Sequence, residues 1–412
     1  MDKPSTRFVT VWALVWIALV GGVVGVNVTM DPYLILGMPR IAGVNRSKPA
    51  VDGKRPFMMS YDVLRAAPNT VLVGNSRVEA GLAAENPAWP ESDRPVYNLG
   101  VPAGSPYVGY RYLQHVMAQH HLSLVVLGLD FEYFLTVEEA DRHVREHTFE
   151  SRLVVTQNGM PNPGWRSQHI RDTFQAVFSL DALSDSVATL TANLSDGTAD
   201  AVDLGSGDMR IAGSYGAIAG SYTLVVASDL GTILGWRGKT RNRFAMADLR
   251  SILDLCQSHE TRLILFMDPA HADELEILDA VGYWKEFEGW KRDIVALIAE
   301  YQRSTDPSPI QLWDFTGYDS YSSEAVLTDP HRLRWYLEPR HYTKALGDAI
   351  VRRILGSGDA NFGTLLTPNN LERHLAVIRE QQRLYREHQP ADARRVRDLY
   401  NFAAGIHSRS SN

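Results

Sequence analysis

Four short apolar runs rich in β-branched residues alternate with helical patterns along the middle of the chain. The apolar runs are 70–73, 124–127, 263–266 and 310–313. The helical patterns that separate or follow them are 107–119, 244–258, 284–302 and 343–355. Apolar runs this short, bounded by turn residues, indicate buried strands. Strands that alternate with helices form βαβ units, so the sequence predicts an α/β fold with a mostly parallel sheet.

The composition narrows the classes of function. The chain has 412 residues, of which 45% are hydrophobic and 22% charged, so it can bury a sizeable core. Its 41 basic and 48 acidic side chains give a net charge of −7, which argues against a nucleic-acid partner. The single cysteine, Cys256, excludes an intramolecular disulfide and a cysteine-based zinc site. We expect Cys256 to be buried, because it lies in an apolar run.

The N-terminal run 8–26 carries no charge and only Thr10 as a clearly polar side chain. As a helix it is long enough to cross a hydrocarbon layer of about 30 Å. No small-residue cleavage site follows it, so residues 1–30 are predicted to form an uncleaved membrane anchor. Basic residues flank the run on both sides and leave its orientation open. A second apolar stretch, 216–236, is interrupted by Asp229 and is predicted to be a buried strand or helix.

The remaining segments suggest how the chain is divided. Residues 31–69 form a polar connector with a short helix in its middle, and residues 70–356 form the α/β domain. A segment rich in Gly, Ser, Asp and Thr, at about 140–245, breaks the alternation and is predicted to be an insertion or a cap over the carboxyl edge of the sheet. Residues 357–412 begin with a Gly-Ser-Gly linker and continue as charged helices. We expect this tail to pack on the domain or on a partner.

Polar side chains follow the predicted strands at the points where the strands end. They are Asn75, Ser76, Arg77, Asp130, Glu132, Asp268, His271 and Asp314. Ligands of open α/β sheets bind beyond the carboxyl ends of the strands, so we predict a site at this edge. Ser76 also begins an S-x-x-E capping box with Glu79. It is therefore predicted to begin a helix, and this is compatible with a nucleophile placed where helix amides can stabilise an oxyanion.

A serine nucleophile needs a base, and two histidines qualify. His341 and His271 each have an acid three residues earlier, Glu338 and Asp268, and such an acid can orient the ring as in a hydrolytic triad. Each histidine could instead cap a helix or pair at the surface. A metal site at Asp268, His271 and Asp273 is the weaker alternative, because no second histidine lies at helical ligand spacing. We predict no metal and no cofactor.

Three blocks in the sequence resemble those of the SGNH/GDSL hydrolase superfamily. Val-Leu-Val-Gly-Asn-Ser at 71–76 resembles its first block, a strand followed by Gly-Asp-Ser. Residues 96–104 resemble the block that supplies further oxyanion donors, and Glu-Pro-Arg-His at 338–341 resembles the final Asp-x-x-His block. The resemblance implies a three-layer, flavodoxin-like sandwich. Asn75 and Glu338 stand where the family pattern has Asp.

The same resemblance implies a role for each site residue. Ser76 would be the nucleophile, His341 the base in preference to His271, and Glu338 the acid that orients it. Around these three we expect oxyanion-binding or substrate-binding roles for the second block and for the strand-end side chains, namely Gly100, Asn98, Asn75, Arg77, Asp130, Asp268 and His271.

An N-terminal anchor ahead of such a domain is similar to two groups of envelope proteins, the alginate O-acetyltransferase-like proteins and the D-alanyl transfer proteins of teichoic-acid modification. This similarity implies a single-pass protein of the bacterial inner membrane with its globular domain in the periplasm or extracytoplasmic space. It also implies an esterase or O-acyltransferase acting on glycan or lipid esters, with a membrane-embedded acyltransferase as a partner. The alternative is a non-catalytic scaffold or glycan-binding subunit that docks a partner through its tail.

Overall fold

The structure is a computed structural model that describes residues 3–51, 54–135, 149–195, 201–211, 222–235, 243–303, 309–326 and 333–410. The chain begins with a long apolar helix, α1 (Lys3–Met30). Its segment Thr6–Met30, 25 residues, is long and apolar enough to cross a membrane, and the most apolar 18-residue stretch of this segment is not buried in the protein. The connector then leads through α2 (Arg55–Ala66), close to the short helix predicted there.

A six-stranded sheet forms the centre of the α/β domain. The strands, with a separate hairpin formed by β4 and β5, are β1 (Thr70–Gly74), β2 (Val96–Gly100), β3 (Leu124–Leu129), β4 (Ala201–Gly205), β5 (Asp208–Ile211), β6 (Arg262–Met267), β7 (Ile310–Asp314) and β8 (Thr364–Leu365). The sheet order is β2-β1-β3-β6-β7-β8, and all pairs are parallel except β7 with β8. The predicted α/β fold with a mostly parallel sheet is confirmed, and each predicted strand is present.

Helices connect and cover the strands. In the α/β domain they are α3 (Ser76–Gly81), α4 (Pro106–Met117), α8 (Arg243–Ser258), α9 (Ala272–Val281), α10 (Trp284–Gln302) and α11 (Lys344–Ile354). The inserted segment contributes α5 (Trp165–Phe178), α6 (Leu180–Leu194) and α7 (Tyr222–Leu234), and the tail contributes α12 (Leu371–His388) and α13 (Pro390–Ser410). The helices predicted after the strands are all present, with small shifts at their ends.

Side chains of the strands enter two separate cores because successive residues of a strand point to opposite faces of the sheet. Val71 and Val73 belong to a core that also contains residues of α4, α8 and α10. Leu72, between them, belongs to a second core with residues of α3 and α11. This double burial explains why the strands read as continuous apolar runs instead of alternating ones. Cys256 is buried in the first core, as predicted.

The insertion and the tail both pack on other parts of the chain. Asp229, predicted to lie in a buried segment, is buried in α7. Residues 136–148, 196–200, 212–221 and 236–242, which belong to or border the predicted insertion, lie outside the described residues. The tail helices join the domain through ion pairs such as Arg386 with Glu276 at 2.9 Å and Arg395 with Asp273 at 2.6 Å.

Candidate active site

Ser76 begins α3 immediately beyond the end of β1. The side chain that caps α3 belongs to Asn75, whose Oδ1 accepts a hydrogen bond of 2.9 Å from the Arg77 amide. Glu79, the other half of the predicted capping box, pairs instead with Arg55 at 2.9 Å. The capping interpretation of Ser76 is therefore wrong, because the cap lies one residue earlier. This leaves the Ser76 hydroxyl available for other contacts at the carboxyl edge of the sheet.

The Ser76 hydroxyl is hydrogen-bonded to the predicted base. Ser76 Oγ lies 2.8 Å from His341 Nε2, and the opposite ring nitrogen, Nδ1, is hydrogen-bonded to Glu338 Oε1. Ser76 and His341 are partly exposed, whereas Glu338 is only 3% exposed. The three side chains thus form a relay of hydroxyl, imidazole and carboxylate, in which the Ser76 hydroxyl is at the solvent side and the Glu338 carboxylate is at the buried side. This is the order of contacts that activates a serine in hydrolytic triads.

A closed loop holds the acid and the base against each other. Tyr336 and Tyr342 pair across the loop as an isolated antiparallel bridge, and the Leu337 amide donates to the His341 carbonyl at 2.8 Å. Within the loop Glu338 accepts from the backbone amides of His341 at 3.0 Å and of Arg340 at 2.9 Å. The longer side chain of glutamate therefore still meets both the ring and the backbone of this turn.

The loop that carries His341 also contacts the helix that carries Ser76. The ring of Tyr342 lies so close to Gly81 of α3 that a Cβ at position 81 would collide with it. The Tyr342 hydroxyl donates to Asp268 Oδ1 at 2.9 Å. Tyr342 therefore fixes the position of the base relative to the nucleophile, because it joins the loop to α3 and to the end of β6.

The carboxylate of Glu338 is in the charged form that a triad acid requires. Burial alone would raise the pKa of Glu338, but the hydrogen bond from His341, the electrostatic attraction of that ring and the Arg340 amide hold the pKa of Glu338 below its usual value. A charged carboxylate at this position can orient the imidazole and stabilise the imidazolium that forms when the ring takes a proton.

Asn98 and Gly100, predicted to supply oxyanion donors, are used inside the protein. The Asn98 side-chain amide donates to the carbonyls of Val78 at 3.1 Å and Leu82 at 2.9 Å. Its Oδ1 accepts from the Gly100 amide at 2.8 Å. Both residues could bind an oxyanion only by giving up these bonds. Gly100 also lets α3 approach the sheet, since a Cβ there would collide with the Glu79 backbone.

Asn75, Arg77 and Asp130 form a buried network beneath Ser76. Asp130 Oδ2 accepts from Asn75 Nδ2 at 2.9 Å and from Arg77 Nε at 2.8 Å, and Arg77 also pairs with Glu274 at 2.6 Å. This network explains why position 75 is not an aspartate. Two carboxylates would then face each other at hydrogen-bond distance, and one of them would have to be protonated.

Asp268 lies at the end of β6 on the other side of Arg77. Its Oδ1 accepts from Tyr342, and its Oδ2 has no hydrogen-bond partner among the described residues. Burial raises the pKa of Asp268 to about 8, against the opposing charge of Arg77. The side chain is therefore mainly a neutral acid at pH 7, and it supports the position of Tyr342 without carrying charge.

The variant Asp268→Asn should be more stable than the wild type at neutral pH. A folded-state pKa above the unfolded one means that the wild type loses stability as pH rises from about 4 to about 8, by up to ~1 kcal/mol per pH unit. Asparagine has no proton to lose and keeps the acceptor for Tyr342. Urea unfolding at several pH values should show a gain that grows with pH over this range and is constant above it. A gain in the free energy of unfolding that does not change with pH would contradict the raised pKa of Asp268. An equal gain in the variant Asp398→Asn, at an exposed position, would contradict it as well.

His271, the alternative base, caps a helix. Its Nδ1 accepts from the Asp273 amide at 3.1 Å at the start of α9, and its Nε2 donates to the Glu324 carbonyl at 2.8 Å. Both ring nitrogens are therefore occupied by protein hydrogen bonds, which leaves neither a base for Ser76 nor a lone pair for a metal. The His271 amide donates to the Pro339 carbonyl at 3.0 Å, so this residue supports the loop of Glu338 and His341.

The sequence pattern did not single out Tyr342 and Arg340 as parts of the site. Arg340 pairs with Glu132 and lies 3.8 Å from Glu274, and burial together with the charge of Arg77 lowers the pKa of Arg340 to about 10. Both residues adjoin His341 in the chain, and this adjacency was the available signal. Their roles depend on partners from distant segments, which the local pattern does not contain.

No family model matches the sequence, and no curated protein matches it. The function must therefore be inferred from the chemistry of the site and from the resemblance of the three sequence blocks.

Proposed function

We propose that the protein is a serine esterase or O-acyltransferase whose nucleophile is Ser76, whose base is His341 and whose orienting acid is Glu338. One observation carries the proposal: Ser76 Oγ lies 2.8 Å from His341 Nε2. The other ring nitrogen of His341 is hydrogen-bonded to the buried carboxylate of Glu338. A serine hydroxyl is a weak nucleophile unless an adjacent base removes its proton. Glu338 keeps the base in the tautomer that can do so.

The reaction proceeds in two halves. In the first half His341 takes the proton as Ser76 Oγ attacks the ester carbonyl carbon, and the same proton then goes to the departing alkoxide, which leaves an acyl-serine. In the second half His341 takes a proton from water or from a sugar hydroxyl, whose oxygen attacks the acyl carbon, and His341 returns this proton to Ser76 Oγ as the bond between Oγ and the acyl carbon breaks. Water gives hydrolysis and the sugar gives transfer. The Ser76 amide, at the first position of α3, is the oxyanion donor that we propose.

We further propose that the domain has the three-layer sandwich of the SGNH/GDSL hydrolases. Helices contribute to a core on each face of the sheet, and the blocks containing Ser76, Asn98 and His341 occur in the order of that family. The length and composition of the N-terminal helix support a single-pass anchor. From the resemblance to envelope proteins we propose that the membrane is the bacterial inner membrane and that the domain is on the extracytoplasmic side. Envelope glycan or lipid esters are the proposed substrates, with a membrane-embedded acyltransferase as the partner in transfer.

A fluorophosphonate probe should label the full-length wild type and should not label Ser76→Ala. The probe phosphonylates a serine only where a base activates it, so labelling reports the relay and not mere exposure. Ser184→Ala is the matched control, because Ser184 is an exposed serine on α6 outside the site. Labelling is read by gel fluorescence and the modified peptide by mass spectrometry. Equal labelling of Ser76→Ala and the wild type would reject Ser76 as the nucleophile.

The non-catalytic alternative has less support. It requires the tail to dock a partner, but the apolar residues Leu371, Leu375 and Ile378 of α12 are buried in the core of the domain. His374, on the same helix, accepts or donates a hydrogen bond of 2.9 Å with Asp314 at the end of β7. The described part of the tail is thus used within the chain, and we do not propose a docking role for α12.

A further inference from the structure

The helices α5 and α6 form a hairpin that packs against the last turns of α1. Asn27 of α1 is fully buried at this contact. Its side-chain amide donates to the carbonyls of Val177 at 3.0 Å and Ser179 at 3.2 Å, and its Oδ1 accepts from Ser186 at 3.0 Å. The turn between α5 and α6 is therefore held at the level of Asn27.

Asn27 lies where a membrane-spanning α1 would leave the hydrocarbon. A hydrocarbon layer of about 30 Å takes roughly 20 residues of helix, which the uncharged run 8–26 supplies. Asn27 follows this run directly, and α1 ends three residues later at Met30. A hairpin turn fixed to Asn27 is therefore at the boundary between lipid and water on the side of the globular domain.

The hairpin exposes large apolar side chains at this level and along its outer faces. They are Ile170 (70% exposed), Phe174 (62%), Phe178 (47%), Leu180 (72%), Val187 (55%), Leu190 (37%) and Leu194 (72%). On α5 they recur every fourth residue and share one face, and the rings of Phe174 and Phe178 stack at 4.7 Å. A group of exposed apolar side chains this large marks a contact with another apolar phase or protein.

Charged side chains border this apolar group as they do in helices that lie in a membrane surface. Arg166 and Arg171 are exposed on α5, and Arg46 is exposed in the connector, where its neighbour Asn45 donates to the Thr29 carbonyl of α1 at 2.8 Å. Arginines suit anionic headgroups at this depth. Asp181 is also exposed, but it lies in the first turn of α6, where the helix dipole stabilises its charge.

We propose that the α5–α6 hairpin is a second membrane contact, whose apolar face enters the boundary between headgroups and acyl chains of the bilayer that α1 crosses. The inference rests on the membrane anchor of the proposed function. Its direct support is continuity, because the turn that carries the exposed Phe178 and Leu180 is bound to Asn27 at the level where the anchor leaves the lipid. Two neighbouring membrane contacts, α1 and the hairpin, restrict the rotation of the α/β domain relative to the bilayer more than α1 alone would. The site at Ser76 is thereby held in a fixed orientation to the membrane surface.

Depth-dependent quenching in the full-length protein tests this contact. A polarity-sensitive fluorophore is attached to Phe178→Cys on the hairpin, to Trp16→Cys in α1, or to Glu380→Cys on α12, three exposed positions. Cys256 is buried, and burial raises the pKa of its thiol to about 12, so the introduced cysteine takes the label. The proteins are reconstituted alone in anionic vesicles that carry nitroxide lipids labelled near the headgroup or near the chain end, and circular dichroism checks the fold of each variant.

The label on Phe178→Cys should be quenched by the headgroup-proximal nitroxide, as expected for side chains about 5–10 Å into the boundary region. The label on Trp16→Cys should respond to the chain-end nitroxide, and the label on Glu380→Cys to neither. If position 178 behaves like position 380 while position 16 is quenched, the anchor stands and the hairpin contact is rejected in favour of a protein partner. If position 16 is not quenched, both the anchor and the hairpin contact are rejected, while the fluorophosphonate test of Ser76 is unaffected.

Discussion

Replacing His341 with glutamine should lower kcat for an activated ester by about 10⁶-fold, the size of loss seen when the base of a serine triad is removed. Glutamine is close to histidine in size and can still contact Ser76 Oγ, but it cannot take the proton. Glu338→Gln should cost about 10⁴-fold, because an amide favours the wrong tautomer of the ring. Initial rates with p-nitrophenyl acetate, measured on the full-length protein in detergent, give both values.

Two histidine controls separate this loss from damage to the fold. His388→Gln, at an exposed position near the end of α12, should leave kcat unchanged. His271→Gln removes the cap of α9, so it should lower stability while the folded fraction keeps most of its activity. A loss of activity in the folded His271→Gln protein equal to that of His341→Gln, or normal rates with His341→Gln, would contradict the assignment of the base.

The triad could be predicted because each member lies in a short block with a local signature. Ser76 lies just after β1, a strand that is specified by the apolar residues it contains. Glu338 and His341 are three residues apart and lie before a helix. The parallel sheet could be predicted for a similar reason, since its central strands are buried on both faces and read as continuous apolar runs. β8 has only two residues and pairs antiparallel at the edge, so it leaves no such pattern.

The surroundings of the triad could not be predicted in the same way, because they depend on pairing between distant segments. β1 and β2 pair with Leu72 opposite Asn98, which brings the Asn98 amide under the carbonyls of α3. The sequence shows an Asn-Leu-Gly segment at 98–100, and this pattern fits an oxyanion donor as well as a helix support. Likewise, the replacement of aspartate by Asn75 becomes understandable only once Asp130 is known to face it at 2.9 Å.

Lys291→Met should destabilise the protein by about 3–5 kcal/mol, because it removes one partner of a fully buried ion pair. Lys291 Nζ lies 2.6 Å from Asp314 Oδ2, and neither side chain is exposed. Burial lowers the pKa of Lys291. Burial would by itself raise the pKa of Asp314, but Lys291 and His374 hold it well below its usual range, so this carboxylate is charged. Among the described residues, the Asp314 carboxylate would then keep the hydrogen bonds to His374 and Thr316 as its partners.

The loss is measured by urea unfolding of the full-length protein, with Arg250→Met as the matched control. Arg250 forms an ion pair of similar length with Glu300, 2.9 Å, but both side chains are about half exposed, so its removal should cost less than about 1 kcal/mol. Asp314 also binds His374 of α12 directly, so the tail should keep its protection in limited proteolysis of Lys291→Met. Equal losses of free energy of unfolding in the two variants would mean that burial does not determine how strongly the Lys291–Asp314 pair stabilises the protein. Faster cleavage of the tail in Lys291→Met would mean that the contact between Asp314 and His374 depends on Lys291.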